Sequence, residues 1–203
     1  ALTVYEYMYG KEHFGNESID AKYLSDNVKA IRKDIFLDDK LITLFKGMGV
    51  NSNWDLGYIT LLISLVINSC DSQKIYEYAK EIDEDIISTY DILAKKASMT
   101  VGESYEKYRR NGKLWCDMRD TFQEWYLGDE KFSESYGRAA YLSGKSGIYK
   151  SEEPLIPLTE LKLILNELAG SKRLGIGTGR PYIEIVPLLK GWDILNLFDA
   201  NGI

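Results

Sequence analysis

The spacing of its apolar residues constrains this chain more than any other feature of its sequence. From Ser18 to about Tyr141, apolar residues recur every three or four positions, which places them on one face of successive α-helices. Two such sets are Val28, Ile31 and Ile35, and Trp115, Met118, Phe122 and Trp125. Most of the chain is therefore predicted to form a helical domain.

The pattern changes near Ser143. Residues 143–157 contain two glycines and two prolines, which is typical of a linker. An amphipathic helix follows from Leu158, and residues 173–177 (Arg-Leu-Gly-Ile-Gly) then resemble a β-strand. A polar turn at residues 178–181 and a further helix complete a unit that is typical of a parallel α/β sheet.

These patterns predict an α/β protein with a large all-α domain over residues 1–147 and a partial α/β core over residues 148–203. One strand cannot form a sheet, because its hydrogen-bonding groups need a neighbouring strand. We therefore expect that this chain is a fragment, and that the missing core segments of its parent chain are its partners.

Composition and charge argue against several classes of protein. The chain carries 31 acidic and 25 basic residues, so its formal charge is −6, which opposes an extended nucleic-acid footprint. The longest apolar run, at residues 58–67, is shorter than the ~20 residues that a membrane-spanning helix needs. Cys70, Cys116 and the single His13 cannot assemble a zinc site. We predict no nucleic-acid or membrane partner, no metal ligands in this chain, and a cytoplasmic location.

Thr178, Gly179 and Arg180 form the candidate site with the clearest chemistry. They follow the predicted strand, and open α/β sheets bind their ligands at the carboxyl ends of strands. A hydroxyl, a glycine amide and a helix N-terminus can together hold a phosphate oxygen. The local pattern fits a turn that binds nothing equally well.

Residues 174–181 (Leu-Gly-Ile-Gly-Thr-Gly-Arg-Pro) resemble the second conserved motif of the haloacid dehalogenase superfamily of hydrolases. Four segments also resemble, in the same order, a bacterial subgroup of that superfamily with a large helical cap. They are residues 1–6 (Ala-Leu-Thr-Val-Tyr-Glu), 51–55 (Asn-Ser-Asn-Trp-Asp), 123–128 (Gln-Glu-Trp-Tyr-Leu-Gly) and 178–182 (Thr-Gly-Arg-Pro-Tyr). The likeness extends over nearly the whole chain.

The resemblance implies a magnesium-dependent phosphohydrolase with a Rossmann-like core, which acts on a small phosphorylated metabolite through an aspartyl-phosphate intermediate. It implies that Thr178 and the amide of Gly179 hold the phosphate, and that Arg180 either joins them or faces a carboxylate. The family's Asp-x-Asp-Gly nucleophile loop would lie shortly before Ala1. The family's lysine and the acidic pair that helps to hold Mg²⁺ are also outside this chain. The 203-residue chain alone is therefore expected to be inactive.

Asn53, Trp54 and Asp55 are a second candidate set. The simpler interpretation is a helix cap followed by an anchoring aromatic residue. The functional interpretation is that they face the catalytic cleft and select the substrate as the cap closes.

Two other functions stay open. The chain could be a helical binding module or a pseudoenzyme without hydrolase activity, in which case the parent's nucleophile loop would be substituted. It could also belong to a metal-independent dehalogenase, whose loop would lack the second aspartate. The sequence before Ala1 would distinguish the three.

Overall fold

The computed structural model describes residues 1–10, 18–82, 85–199 and 202, so His13 lies outside the described residues. Eleven α-helices are present in the described ranges. They are α1 (Leu2–Tyr5), α2 (Ala21–Asp26), α3 (Val28–Phe36), α4 (Lys40–Gly47), α5 (Asn53–Ile67), α6 (Ser72–Lys80), α7 (Ile86–Val101), α8 (Tyr105–Tyr108), α9 (Lys113–Tyr136), α10 (Leu158–Ala169) and α11 (Tyr182–Gly191). A π-helical turn (Glu6–Gly10) continues α1, and 3₁₀ turns lie at Ile148–Ser151 and Leu195–Leu197.

Helix α5 lies at the centre of the helical core because it is apolar on almost every face. All of its residues from Asp55 to Leu65 are buried, and it packs against α1, α6, α7 and α9. The hydroxyl of Ser52 caps the helix by accepting a hydrogen bond from the amide of Asp55 at 3.3 Å. Although α5 is strongly apolar, it has only 15 residues. No helix within the described ranges has the length and apolar composition that crossing a bilayer requires.

Helix α9 bends sharply at Gly128, whose backbone is not helical (φ 77°, ψ 167°). A Cβ atom at this position would lie 2.7 Å from the amide nitrogen of Gly147. Glycine therefore does two things here: it adopts a conformation that L side chains avoid, and it lets residues 144–147 cross the helix closely.

The crossing segment buries the side chain of Lys145 completely. Its ammonium lies 3.0 Å from Glu6 Oε2, contacts the carboxylate of Glu124 and sits 4.8 Å from the ring centroid of Trp125. A buried ammonium is tolerated only when carboxylates compensate it, and here two do so. The first part of the predicted linker is thus fixed to the helical core.

The prediction of an α/β fold is wrong for this chain. No β-strand and no sheet is present in the described residues, and residues 173–177 form no regular element. Their backbone makes two hydrogen bonds to a later part of the same chain, from Ile176 N to Gly202 O at 2.6 Å and from Asp199 N to Leu174 O at 2.9 Å. Two bonds do not make a ladder, and glycines at positions 175 and 177 favour a strand only weakly. The described residues therefore contain no Rossmann-like core.

The segment after residue 147 packs against the helical core in some parts and is exposed in others. Helix α11 and the turn at Ile148–Ser151 pack against α9, and α11 buries Val186, Leu188 and Leu189. Helix α10 has no buried residue, and its Leu163 is 73% exposed. An apolar stripe on α10 thus faces solvent.

Candidate substrate-binding cleft

Two adjoining cavities lie where helices α5 and α11 begin. The more enclosed one, called the inner cavity here, has a volume of about 300 Å³, and its lining includes residues 1–4, Tyr126 and Glu152. The other, called the outer cleft, has a volume of about 360 Å³ and lies between residues 51–54 and residues 179–181. Both are lined by Asn53, Trp54, Phe122, Arg180 and Glu184. The structure thus brings together Asn53, Trp54, Gly179 and Arg180, four of the predicted site residues.

The start of α5 positions Asn53 and Trp54. The Ser52 cap fixes the first turn, and the indole of Trp54 then packs edge-on against Trp115 and Phe122, with centroid distances of 6.3 and 6.4 Å. Asn53 is exposed and Trp54 is half-buried. The indole is therefore a fixed wall of both cavities, whereas the amide of Asn53 is available to a ligand.

Thr178 and Gly179 form a tight turn before α11. The hydroxyl of Thr178 accepts a hydrogen bond from the amide of Arg180 at 3.0 Å, and both Thr178 and Gly179 are exposed. The amide of Gly179 has no acceptor within the described part of the chain. Gly179 lines the outer cleft, so its amide can be donated to an anion there, whereas Thr178 is its neighbour in the chain but lines neither cavity.

Arg180 is committed to a carboxylate. Its Nη1 and Nη2 donate to Glu152 at 2.8 and 3.1 Å, and Nη1 also lies 3.2 Å from the hydroxyl of Tyr126. The guanidinium stacks over the Tyr126 ring, 5.4 Å from its centroid. The bonds to Glu152 raise the pKa of Arg180. Its charge is therefore largely compensated before any phosphate arrives.

Glu184 is the most deeply buried acidic group of the cleft, at 5% exposure. Its Oε1 accepts a hydrogen bond from Gln123 Nε2 at 2.6 Å, and its Oε2 lies 3.8 Å from Arg180 Nε. Burial raises the pKa of this carboxyl, because removal from water disfavours the charged form.

Asp55 lies apart from Asn53 and Trp54, although they are neighbours in sequence. Its buried carboxylate accepts hydrogen bonds from Arg110 at 3.2 and 2.9 Å and from the indole of Trp115 at 2.8 Å. It lines a different cavity, of about 450 Å³, together with Tyr90. The geometry gives Asp55 a structural role inside the helical core.

Four residues of the cleft were not predicted as site residues: Phe122, Tyr126, Glu152 and Glu184. Phe122 belongs to a helical aromatic stripe that indicates a core face, Tyr126 lies in the same predicted helix, and Glu152 lies in a segment that indicates a linker. Glu184 looks like an ordinary acidic residue in the first turn of a helix. The one available signal was that Glu184 is four residues after Arg180, the spacing at which side chains on a helix meet.

The described residues do not fit a magnesium site. They contain no group of three or more His, Cys, Asp or Glu side chains arranged around one point. Glu152 and Glu184 both face the guanidinium of Arg180, and no third carboxylate in the described residues joins them to complete a ligand set for Mg²⁺. Magnesium is an expectation from the resemblance alone.

Comparisons with known proteins identify a structural neighbour but no family. No protein-family model and no curated protein matches this chain. A protein solved by X-ray crystallography as Northeast Structural Genomics Consortium target ZR25 is similar in structure, with a TM-score of 0.74 and 28% sequence identity. The match covers 98% of this chain and 62% of that one. This chain therefore spans less than two thirds of the length of the protein it resembles.

Proposed function

We propose that this chain is the substrate-selecting part of a phosphohydrolase that acts on a small phosphorylated metabolite. The hydrolysis would pass through an aspartyl-phosphate, and the nucleophile would come from a part of the parent protein outside this chain. The resemblance to the haloacid dehalogenase superfamily is the source of the chemistry. The geometry of the cleft also supports the proposal. This support does not depend on the fold, which differs from the one that the resemblance implies.

One observation carries the proposal. Asn53 and Trp54 were chosen as candidates from one end of the sequence, and Gly179 and Arg180 from the other, and all four line the outer cleft. Ligand sites are typically concave, largely apolar and lined by a few polar groups from separate segments. The outer cleft and the inner cavity together have this character.

Each part of the cleft has a role in this proposal. The hydroxyl of Thr178 and the amide of Gly179 donate hydrogen bonds to the phosphate, and the N-terminus of α11 favours its charge. Trp54 and Phe122 contact the leaving group and exclude water from it. Arg180 positions Glu152 and the ring of Tyr126 rather than binding phosphate itself.

The test uses the full-length parent protein and a panel of small phosphate esters, with release of inorganic phosphate as the readout. We expect turnover by the parent and none by the 203-residue chain. Thr178→Val should lower kcat by about a hundred-fold, the usual effect of removing one donor to a developing oxyanion. Thr159→Val, at an exposed position on α10, is the matched control and should leave kcat unchanged.

Two results would contradict the proposal. A parent that hydrolyses none of the esters, or one in which Thr178→Val and Thr159→Val behave alike, leaves the cleft without a role in phosphate transfer. Release of halide from a haloacid would instead point to the dehalogenase alternative.

A further inference from the structure

We infer that the inner cavity receives the ammonium group of an amine-bearing substrate, so that the leaving group of the proposed reaction is an amino alcohol or a similar small amine. This inference rests on the proposed function, because it assigns the part of the substrate that is not phosphate. It is carried by the charges, the aromatic walls and one carboxylate oxygen of the cavity.

The charged groups of the inner cavity do not balance. Glu152 and Glu184 both face the single guanidinium of Arg180, so these three groups sum to −1. Arg32 also lines the cavity, but its Nε and Nη2 donate to Asp39 at 2.9 and 3.0 Å. The cavity therefore has one negative charge in excess.

The walls of the cavity are suited to a cation. Trp54, Phe122 and Tyr126 line it, and Phe122 and Tyr126 present parallel rings, with centroids 6.3 Å apart and planes at 3°. The faces of aromatic rings attract cations within about 6 Å of the centroid. The guanidinium of Arg180 already uses Tyr126 in this way. Trp54 and Phe122 line the same cavity, so a ligand there would contact their rings.

Glu184 Oε2 is the atom that such a ligand would reach. Gln123 donates only to Oε1, and no donor in the described ranges makes a hydrogen bond to Oε2, although the residue is 5% exposed. Oε2 is not one of the fully buried polar atoms that lack a partner, and its ion pair with Arg180 Nε is long, so an ammonium N–H group in the cavity can reach it.

A phosphate placed in the inner cavity would meet both Glu152 and Glu184, whereas the outer cleft has only Glu184 and is also lined by Gly179. Phosphate therefore belongs at the outer cleft, beside Gly179, and the ammonium belongs inside. A volume of about 300 Å³ lies at the small end of ligand cavities, which suits a short amine rather than a nucleotide.

The test is a binding comparison on the purified 203-residue chain by isothermal titration calorimetry. The two probes are O-phosphoethanolamine and 2-hydroxyethyl phosphate, which have nearly the same size and differ in the ammonium group. We expect the ammonium probe to bind about ten-fold more tightly, the size of one charge-assisted hydrogen bond. Glu184→Gln should remove this preference, and Glu153→Gln, the same change at an exposed position, should leave it intact.

A second variant keeps the inference testable if Glu184→Gln fails to fold. Phe122→Leu keeps an apolar side chain at a half-buried position and removes one aromatic face, so it should reduce the preference several-fold with the fold intact by circular dichroism. Equal binding of the two probes, or a preference that survives both Glu184→Gln and Phe122→Leu, overturns the inference.

The proposed function and the ammonium inference can be contradicted independently of each other. If the parent hydrolyses both esters with equal kcat/KM, the phosphohydrolase stands and the ammonium inference falls. If the chain prefers the ammonium probe and the parent releases no phosphate from any ester, the cavity binds amines and the phosphohydrolase falls.

Discussion

Glu152 accepts hydrogen bonds from both terminal nitrogens of Arg180, at 2.8 Å from Nη1 and 3.1 Å from Nη2. This bidentate pair links the segment before α10 to the turn that begins α11. It also closes one side of the inner cavity. The cleft therefore depends on a pair of side chains 28 residues apart in the sequence.

We predict that Arg180→Lys lowers the free energy of unfolding by about 1 kcal/mol, because lysine cannot form the two-point contact with Glu152. Glu152→Gln should cost a similar amount, and the double variant should cost less than the sum of the two. Urea denaturation measures all three. Arg173→Lys is the control. That side chain is 93% exposed, and its partner Asp199 is 4.0 Å away, too far for a hydrogen bond. Additive effects at positions 152 and 180 would show that the pair is not coupled.

We predict that Asp55→Asn destabilises the chain by about 2–3 kcal/mol without weakening ligand binding. The substitution removes the charged partner of the exposed Arg110, and it weakens the acceptor of the buried Trp115 indole, whose hydrogen bond is to a charged group in the wild-type chain. Asp34→Asn, at an exposed position, should cost less than about 0.5 kcal/mol. Urea denaturation and probe binding distinguish the roles: a variant that is stable but loses binding would return Asp55 to the substrate site.

Helix positions could be predicted from the sequence because the hydrogen bonds of an α-helix join residues only four positions apart. The spacing of Trp115, Phe122 and Trp125 predicted a helix that the structure contains as α9, and the apolar run at residues 58–67 lies in α5. That α9 bends at Gly128 and continues to Tyr136 was not predicted. The predicted strand at residues 173–177 failed for the opposite reason. A strand exists only with a partner, and a sequence window contains no information on whether the partner is present.

Some residues of the cleft could be predicted from the sequence, but not that they would lie together. Asn53 and Gly179 could each be chosen from local capping and turn chemistry, but their meeting depends on how α11 packs against α9. Glu152 and Glu184 acquire their role only from the guanidinium that lies near both. Asp55 was placed with Asn53 because they are neighbours in sequence, whereas successive residues on a helix point about 100° apart.

We predict that Cys70 reacts slowly with iodoacetamide. Burial raises the pKa of its thiol to about 11, so at pH 8 the thiolate fraction is roughly a hundred-fold below that of an ordinary cysteine. The reaction rate should rise about ten-fold per pH unit up to that pKa. The Cys116→Ser variant isolates the signal, with the same variant in urea as the reference. A rate that levels off near pH 8.5 in the folded protein would contradict the prediction.

We predict that stability falls as pH rises above about 4.3, the usual glutamate pKa, through the higher pKa of Glu184. In this window the unfolded state loses its proton first, so ionisation favours unfolding; below the window the effect is absent. Glu184→Gln should flatten this part of the stability curve, measured by urea denaturation between pH 4 and 7. Glu153→Gln should not. An unchanged slope in Glu184→Gln would assign the pH dependence to another group.

We predict that the exposed stripe of α10 is covered in the parent protein by sequence outside this chain. Leu163 is 73% exposed here, and the similar crystal structure continues for more than a third of its length beyond the matched region. Leu163→Glu should therefore change the free energy of unfolding of this chain by less than about 0.5 kcal/mol but destabilise the parent by about 2 kcal/mol or more. Asn166→Glu, at another exposed position of α10, should be mild in both. Hydrogen exchange supplies the second readout, with α10 amides protected in the parent and open in this chain. Protection of α10 in this chain alone, at concentrations where it sediments as a dimer, would instead assign the stripe to a second copy.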